Sequence, residues 1–206
     1  HFYDLNGDEI EKETTEIKWD AEAAEKAGFE HFMMKEIYEQ PKAIRDTLNS
    51  VVKDGVIDFT DIDITEEEIK KYSQIYIVAC GSAWHVGVEA QYVIEELAQI
   101  PVRVELASEF RYREMPLVKD GLVIVISQSG ETADTLAAMR MAKDKGLATL
   151  AVVNVIGSSI AREADKVFYT LAGPEISVAT TKGYSAQLAA LDCIAVQFAK
   201  VKGLIT

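Results

Sequence analysis

Five short apolar runs, separated by longer amphipathic segments, constrain the fold of residues 75–206 more than any other feature. The first, Ile75-Tyr-Ile-Val-Ala-Cys80, is apolar throughout, which is typical of a strand buried on both faces. Strands that alternate with helices form a parallel sheet with right-handed crossovers. We therefore expect an α/β fold, a three-layer α/β/α sandwich with a five-stranded parallel sheet, flavodoxin-like or Rossmann-like. The predicted strands are 75–80, 102–106, 122–126, 148–153 and 166–171, and the predicted helices are 84–99, 109–113, 131–145, 159–164 and 181–201.

A helical extension is predicted before this sheet, over residues 21–70. It comprises a short helix at 21–27, a helix carrying Phe29 to Tyr38, and a second helix opened by Pro41. A loop or short strand at 58–65 follows, and Thr65 with Glu68 forms a capping box for a further helix. Residues 1–20 begin with a hairpin signal at Asn6-Gly7, and the hairpin either belongs to an upstream sheet or docks on this domain.

The composition excludes several classes of protein. The chain has 206 residues and a net charge of −13, which argues against a nucleic-acid partner. Residues 1–70 hold 20 acidic and 8 basic residues, whereas residues 71–206 hold 14 and 13, so long-range repulsion does not bar an anionic ligand from the second part. Two distant cysteines indicate neither a disulfide framework nor a metal site. No apolar run reaches membrane-spanning length, and the acidic N-terminus does not resemble a signal peptide. The cysteine usage suits a reducing setting, so we expect a cytoplasmic protein.

Three segments at predicted strand ends carry the polar residues that suit ligand binding, namely 80–84, 127–132 and 177–182. In the second, Ser127, Ser129 and Thr132 supply three hydroxyls, and Gly130 allows the backbone to approach a ligand. The helix that begins there has unpaired N–H groups that favour a phosphate monoester. Serine and threonine are also ordinary helix caps, but capping needs only one of them. Neither GxxxxGK[ST] nor GxGxxG is present, which disfavours nucleoside triphosphates and dinucleotides.

These segments resemble the SIS (sugar isomerase) domain of the glucosamine-6-phosphate synthase family. The resemblance rests on Ser127-Gln-Ser-Gly-Glu-Thr-Ala-Asp-Thr135, Val104-Glu-Leu-Ala-Ser-Glu-Phe-Arg-Tyr112, Ala172-Gly-Pro-Glu-Ile176 with Val178-Ala-Thr-Thr-Lys182, and Lys35-Glu-Ile-Tyr-Glu-Gln-Pro41. It implies a site for fructose 6-phosphate or glucosamine 6-phosphate, with no cofactor and no metal. The implied substrate-binding residues are Ser127, Gln128, Ser129 and Thr132 for the phosphate, Cys80, Gly81 and Ser82 along the sugar, and Val178, Ala179 and Thr180 before the last helix. Where the family often has Cys-Gly-Thr-Ser, this chain has Cys-Gly-Ser-Ala, so Ala83 lacks a hydroxyl.

The resemblance also implies a division of the chain into three parts. Residues 1–20 would be the remnant of an upstream glutaminase domain or linker, 21–70 the helical start of the isomerase region, and 71–206 the first SIS domain. The family takes its catalytic cysteine, glutamate, lysine and histidine from the glutaminase domain, a second SIS domain and a C-terminal tail. We therefore expect no catalytic residue here, no activity of this chain alone, and a homodimer.

Two other functions are weighed against this one. A stand-alone phosphosugar sensor joined to a DNA-binding module would need a basic N-terminal third, which is acidic here. A one-domain isomerase would need an acid–base pair, and His85, Glu131, Lys182 and Cys80 provide no convincing one. His85 and His31 are isolated, and Cys80 suits small-residue packing. Glu131 suits an interaction with a helix N-terminus, and Lys182 either pairs with an anion or opens the last helix.

Overall fold

The computed structural model describes residues 1–11 and 25–205. Its largest feature is a five-stranded sheet with helices on both faces. In chain order the described elements are β1 (Phe2–Tyr3), β2 (Glu9–Ile10), α1 (Phe32–Val51), β3 (Val52–Lys53), β4 (Val56–Ile57), a 3-10 helix (Thr60–Ile62), α2 (Glu66–Lys71), β5 (Gln74–Ala79), α3 (Ser82–Ala98), β6 (Val102–Leu106), α4 (Ala107–Phe110), β7 (Gly121–Ser127), α5 (Ala133–Asp144), β8 (Ala148–Val153), α6 (Ser159–Glu163), β9 (Lys166–Tyr169) and α7 (Lys182–Val201).

All five strands of the large sheet run parallel, in the order β6-β5-β7-β8-β9. The chain first adds β6 on one side of β5 and then returns to add β7 on the other side. The direction of winding therefore reverses between β5 and β7, as in flavodoxin-like sheets. This arrangement confirms the predicted fold class and creates a crevice at the carboxyl ends of β5 and β7.

Alternate residues of the strands divide the core into two layers. On β7, Leu122, Ile124 and Ile126 pack with residues of α3 and α7, while Val123 and Val125 pack with residues of α4, α5 and α6. All five side chains are essentially inaccessible to solvent. Full burial of an aliphatic side chain of this size contributes roughly 1.5–3 kcal/mol, so the central strands form a rigid base for the loops at their ends.

Helix α1 continues through Pro41, so the prediction of two helices separated at this residue was wrong. Proline removes the N–H that would bind the carbonyl of Ile37, four residues earlier. The side-chain amide of Gln40 donates to that carbonyl at 3.1 Å instead. The helix also packs along α7, where Ala43 is buried against Ala186. Packing and the substitute hydrogen bond together keep the helix continuous.

Other local predictions were confirmed in part. The capping box is confirmed, since Glu68 N donates to Thr65 Oγ1 and Thr65 N donates to Glu68 Oε2 at 2.8 Å. The hairpin around Asn6-Gly7 is present as β1 and β2, and residues 1–11 are exposed. Most of the helix predicted at 21–27 lies outside the described residues. The segment 58–65 contains a 3-10 helix, and the short helix predicted at 109–113 begins earlier, as α4.

Candidate functional site

A cavity of about 230 Å³ opens at the crevice between β5 and β7. Three loops form its walls: the loop after β5, the loop after β7, and the loop that precedes α7. It is lined by Cys80, Ser82, Ala83, Ile126, Ser127, Gln128, Ser129, Thr132, Glu175, Ser177, Val178, Thr180 and Gln187. Eight of the ten residues predicted from the sequence are therefore brought together, whereas Gly81 and Ala179 do not line the cavity.

The turn after β7 is held in shape by its own hydroxyl groups. Ser127 is buried, and its Oγ accepts a hydrogen bond from Gly130 N at 3.0 Å and lies 2.9 Å from Thr132 Oγ1. Ser129 is exposed, and its Oγ accepts from Glu131 N at 3.2 Å. A hydroxyl that accepts one bond keeps its own proton to donate. Ser127 therefore shapes the turn, while Ser129 retains a donor for a ligand.

The same turn is fixed to the loop between β8 and α6. Gly130 O accepts from Ile160 N at 3.0 Å, and Gln128 O accepts from Asn154 N at 3.2 Å. Gly130 has a φ of +67°, and a Cβ at this position would lie 2.0 Å from Ser158 Oγ. Both the backbone conformation and the close approach require glycine here. The turn is thus preorganised by its surroundings, because the segment 154–160 holds it at both Gln128 and Gly130.

Helix α5 begins directly after this turn, at Ala133, with no side-chain cap from Thr132. Its first N–H groups have no partner within the helix and carry the positive end of the helix dipole. Glu131, which could have capped them, is turned away and accepts from Ser159 N at 2.7 Å. That hydrogen bond lowers the pKa of Glu131 below its ordinary value. Glu131 therefore interacts with the N-terminus of α6, and the start of α5 stays open to an anion.

The loop after β5 contributes a tight entry into α3. Gly81 has φ +59° and ψ −133°, a conformation that only glycine adopts readily. The neighbouring Cys80 is half-buried, and its Sγ lies 3.8 Å from Thr135 Oγ1. Ser82 is exposed at the first position of α3. Ala83 presents a methyl group to the cavity, so the hydroxyl that the family often has at this position is absent from the wall.

The loop before α7 is held by a carboxylate from the N-terminal extension. Glu36 of α1 is buried and accepts from Ile176 N at 2.6 Å and from Ser177 N at 3.2 Å. Glu175, in the same loop, accepts from Thr181 N at 2.8 Å and thereby caps α7. Neither glutamate was assigned a role from the sequence. The available signal for Glu175 was the Gly-Pro-Glu sequence in the loop that precedes the long last helix. No local signal was available for Glu36, because its contact joins residues 140 positions apart.

The residues considered and set aside as catalytic groups lie away from the cavity or are committed elsewhere. His85 is exposed and its ring packs edge-on against Trp84, and His31 is exposed beside Glu30. Lys182 is buried at the first position of α7, and its Nζ lies 2.7 Å from Glu39 Oε2, a carboxylate of the chain itself.

Among residues 1–11 and 25–205, no cluster of three or more histidine, cysteine, aspartate or glutamate side chains is arranged to hold a metal ion. Within the same ranges, no helix combines the length and apolar character needed to cross a membrane.

Comparison with known proteins gives the family of this fold and site. The model of the SIS domain matches residues 68–197, and the chain belongs to that family. It is 57% identical over its whole length to the isomerizing glutamine–fructose-6-phosphate aminotransferase of Clostridium acetobutylicum, and 56% identical to that of Caldanaerobacter subterraneus. The chain spans about a third (34%) of the length of each of these relatives.

A solved structure agrees with these relatives. The C-terminal domain of glucosamine-fructose-6-phosphate aminotransferase from Francisella tularensis superimposes with a TM-score of 0.86 at 44% identity. The match covers 89% of this chain and 52% of that chain. The chain is therefore similar to one part of an aminotransferase of this kind.

Proposed function

We propose that this chain binds fructose 6-phosphate, as the first sugar-binding domain of an isomerizing glutamine–fructose-6-phosphate aminotransferase. The phosphate occupies the turn at 127–132, and the sugar extends towards the loop after β5 and the loop before α7. The relatives that carry this name align with the whole chain, which supports the assignment. A glutaminase domain, a second SIS domain and a second copy of the chain are the partners that this function requires.

The observation that carries the proposal is the convergence of uncharged donors on one cavity. Ser129 retains a hydroxyl proton, and Gln128 contributes a side-chain amide to the same wall. The uncapped start of α5 adds backbone N–H groups and a favourable dipole. Neutral donors and a helix N-terminus can together bind a phosphate without a basic residue, and no lysine or arginine lines this cavity among the described residues.

The cavity supports binding rather than catalysis by this chain alone. Its titratable lining groups are the thiol of Cys80 and the carboxylate of Glu175. Glu175 already accepts hydrogen bonds from Thr180 Oγ1, Thr181 N and Gly183 N. A base must be within reach of the proton that it removes and must have a lone pair available for it. We therefore expect the acid and base groups of the reaction to come from other parts of the enzyme.

Calorimetric titration of the chain with fructose 6-phosphate tests the proposal, with Ser129→Ala as the informative variant. Loss of a donor to a charged ligand weakens binding by about 1–3 kcal/mol, which is roughly 5- to 150-fold in the dissociation constant. Ser73→Ala is the matched control, since Ser73 is an exposed serine at the opposite end of β5. Absence of binding by the unmodified chain, or equal affinities of all three proteins, would contradict the proposal.

A further inference from the structure

Three helices begin at the carboxyl edge of the sheet beside the cavity: α3 at Ser82, α5 at Ala133 and α7 at Lys182. A helix N-terminus attracts anions through its unpaired N–H groups and its dipole. The N-cap residues of all three lack a side-chain cap of their own. The cavity therefore offers more than one helix N-terminus where the phosphate of a ligand could bind.

Glu175 occupies one of these places with a carboxylate of the chain itself. Its Oε1 accepts from Thr181 N at 2.8 Å and from Gly183 N at 3.1 Å, and its Oε2 accepts from Thr180 Oγ1 at 2.9 Å. The carboxylate thus binds the first turn of α7 in the way that a bound anion would. Because Glu175 also lines the cavity, its charge faces any ligand there.

Gly183 shows that this arrangement is built into the helix. A Cβ at Gly183 would lie 2.5 Å from Glu175 Oε2 and 3.1 Å from Gln128 Cγ. Gly183 is the second residue of α7, and a larger side chain there would have no room beside the carboxylate. The space that it leaves is filled by the carboxylate on one side and by the stem of Gln128 on the other.

No basic side chain among the described lining residues of the cavity offsets the charge of Glu175. The nearby Lys182 is buried, and its Nζ lies 2.7 Å from Glu39 Oε2, on the side of α1. The start of α7 is therefore both filled and negatively charged, whereas the start of α5 is open. A second anionic group on a ligand would meet the carboxylate at short range, where like charges repel strongly.

We propose that Glu175 determines specificity: it keeps the single phosphate of a sugar phosphate away from the start of α7 and excludes sugars with a second phosphate. The inference rests on the proposed function, because it concerns the orientation of the same ligand in the same cavity. The hydroxyl end of the sugar then lies towards the loop before α7.

Titrations with fructose 6-phosphate and fructose 1,6-bisphosphate test the inference, with the ratio of the two affinities as the readout. The unmodified chain is expected to prefer the monophosphate by at least tenfold. Glu175→Gln keeps the size of the side chain and one acceptor but removes the charge, and it is expected to reduce the preference at least fivefold. Glu175→Asp keeps the charge and is expected to retain the preference.

The outcomes separate this inference from the proposed function. If the unmodified chain binds neither sugar, the proposed function fails. If it binds fructose 6-phosphate but binds the bisphosphate equally well, the role of Glu175 is refuted without any variant, so the test does not depend on the folding of Glu175→Gln. The inference is also overturned if Glu175→Gln is folded, as judged by circular dichroism, and its ratio of affinities for the two sugars is unchanged.

Discussion

Replacement of Gly130 by alanine probes how strongly the turn after β7 is fixed. The substitution has two separate effects. At a φ of +67° an L-residue is strained, which lowers the free energy of unfolding by about 1–2 kcal/mol. The new methyl group would also lie 2.0 Å from Ser158 Oγ and 2.5 Å from Ser158 Cβ. Overpacking of this kind adds about 1–3 kcal/mol, so we expect a total destabilisation of about 2–5 kcal/mol.

Urea unfolding followed by circular dichroism measures this loss, and two further variants separate its components. Gly157→Ala is the matched control, since its φ is +74° but no described atom lies within 4 Å of the methyl group that alanine would add, so only the strain remains. Ser158→Gly removes both short contacts, and the next neighbour of the methyl group at position 130 is Val153 Cγ1 at 3.6 Å. The double variant Gly130→Ala/Ser158→Gly should therefore be about as stable as Gly157→Ala. The reasoning is refuted if Gly130→Ala is no less stable than Gly157→Ala, or if Ser158→Gly brings no recovery.

Two more outcomes follow from the charged and titratable groups around α7. Glu36→Ala leaves the N–H groups of Ile176 and Ser177 without their acceptor, so we expect fructose 6-phosphate to bind about tenfold more weakly. Calorimetry checks this against Glu30→Ala, and equal affinities would contradict it. Burial raises the pKa of Cys193 from its ordinary value of 9.0 to about 11. The unfolded chain loses this proton first, so stability should fall as the pH rises from 9 to 11. Urea midpoints should show a smaller fall in Cys193→Ala, and an equal fall in both proteins would disprove this contribution.

The sheet could be predicted from the sequence because its strands are buried on both faces. A run such as 122–126 has no polar residue to place at a surface, and each run is followed by a predicted helical segment. The observed β7, Gly121–Ser127, is one residue longer at each end than the predicted strand. Local capping was equally predictable at Thr65 and Glu68, since both partners of the capping box lie within one helical turn.

The features that were missed depend on local turn chemistry or on distant contacts. The β3–β4 hairpin has Asp54 and Gly55 at its turn, both with positive φ. Asp-Gly is a strong hairpin signal, but no hairpin was predicted here because the flanking strands contain only two residues each. Helix α1 was divided at Pro41 because the substitute bond from Gln40 and the packing on α7 are not visible in a local pattern.

The position of α1 links the N-terminal extension to the site. The family model matches residues 68–197, and α1 lies before that range. Nevertheless, one face of α1 supplies Glu36 to the loop before α7 and Glu39 to Lys182, while Gln40 Oε1 accepts from Ser185 Oγ at 2.6 Å. Removal of one member of a buried ion pair is strongly destabilising, because the other charge is left buried without a partner. The loop that carries Glu175 is therefore held by a helix outside the matched range, so the cavity that this loop lines depends on the extension for support.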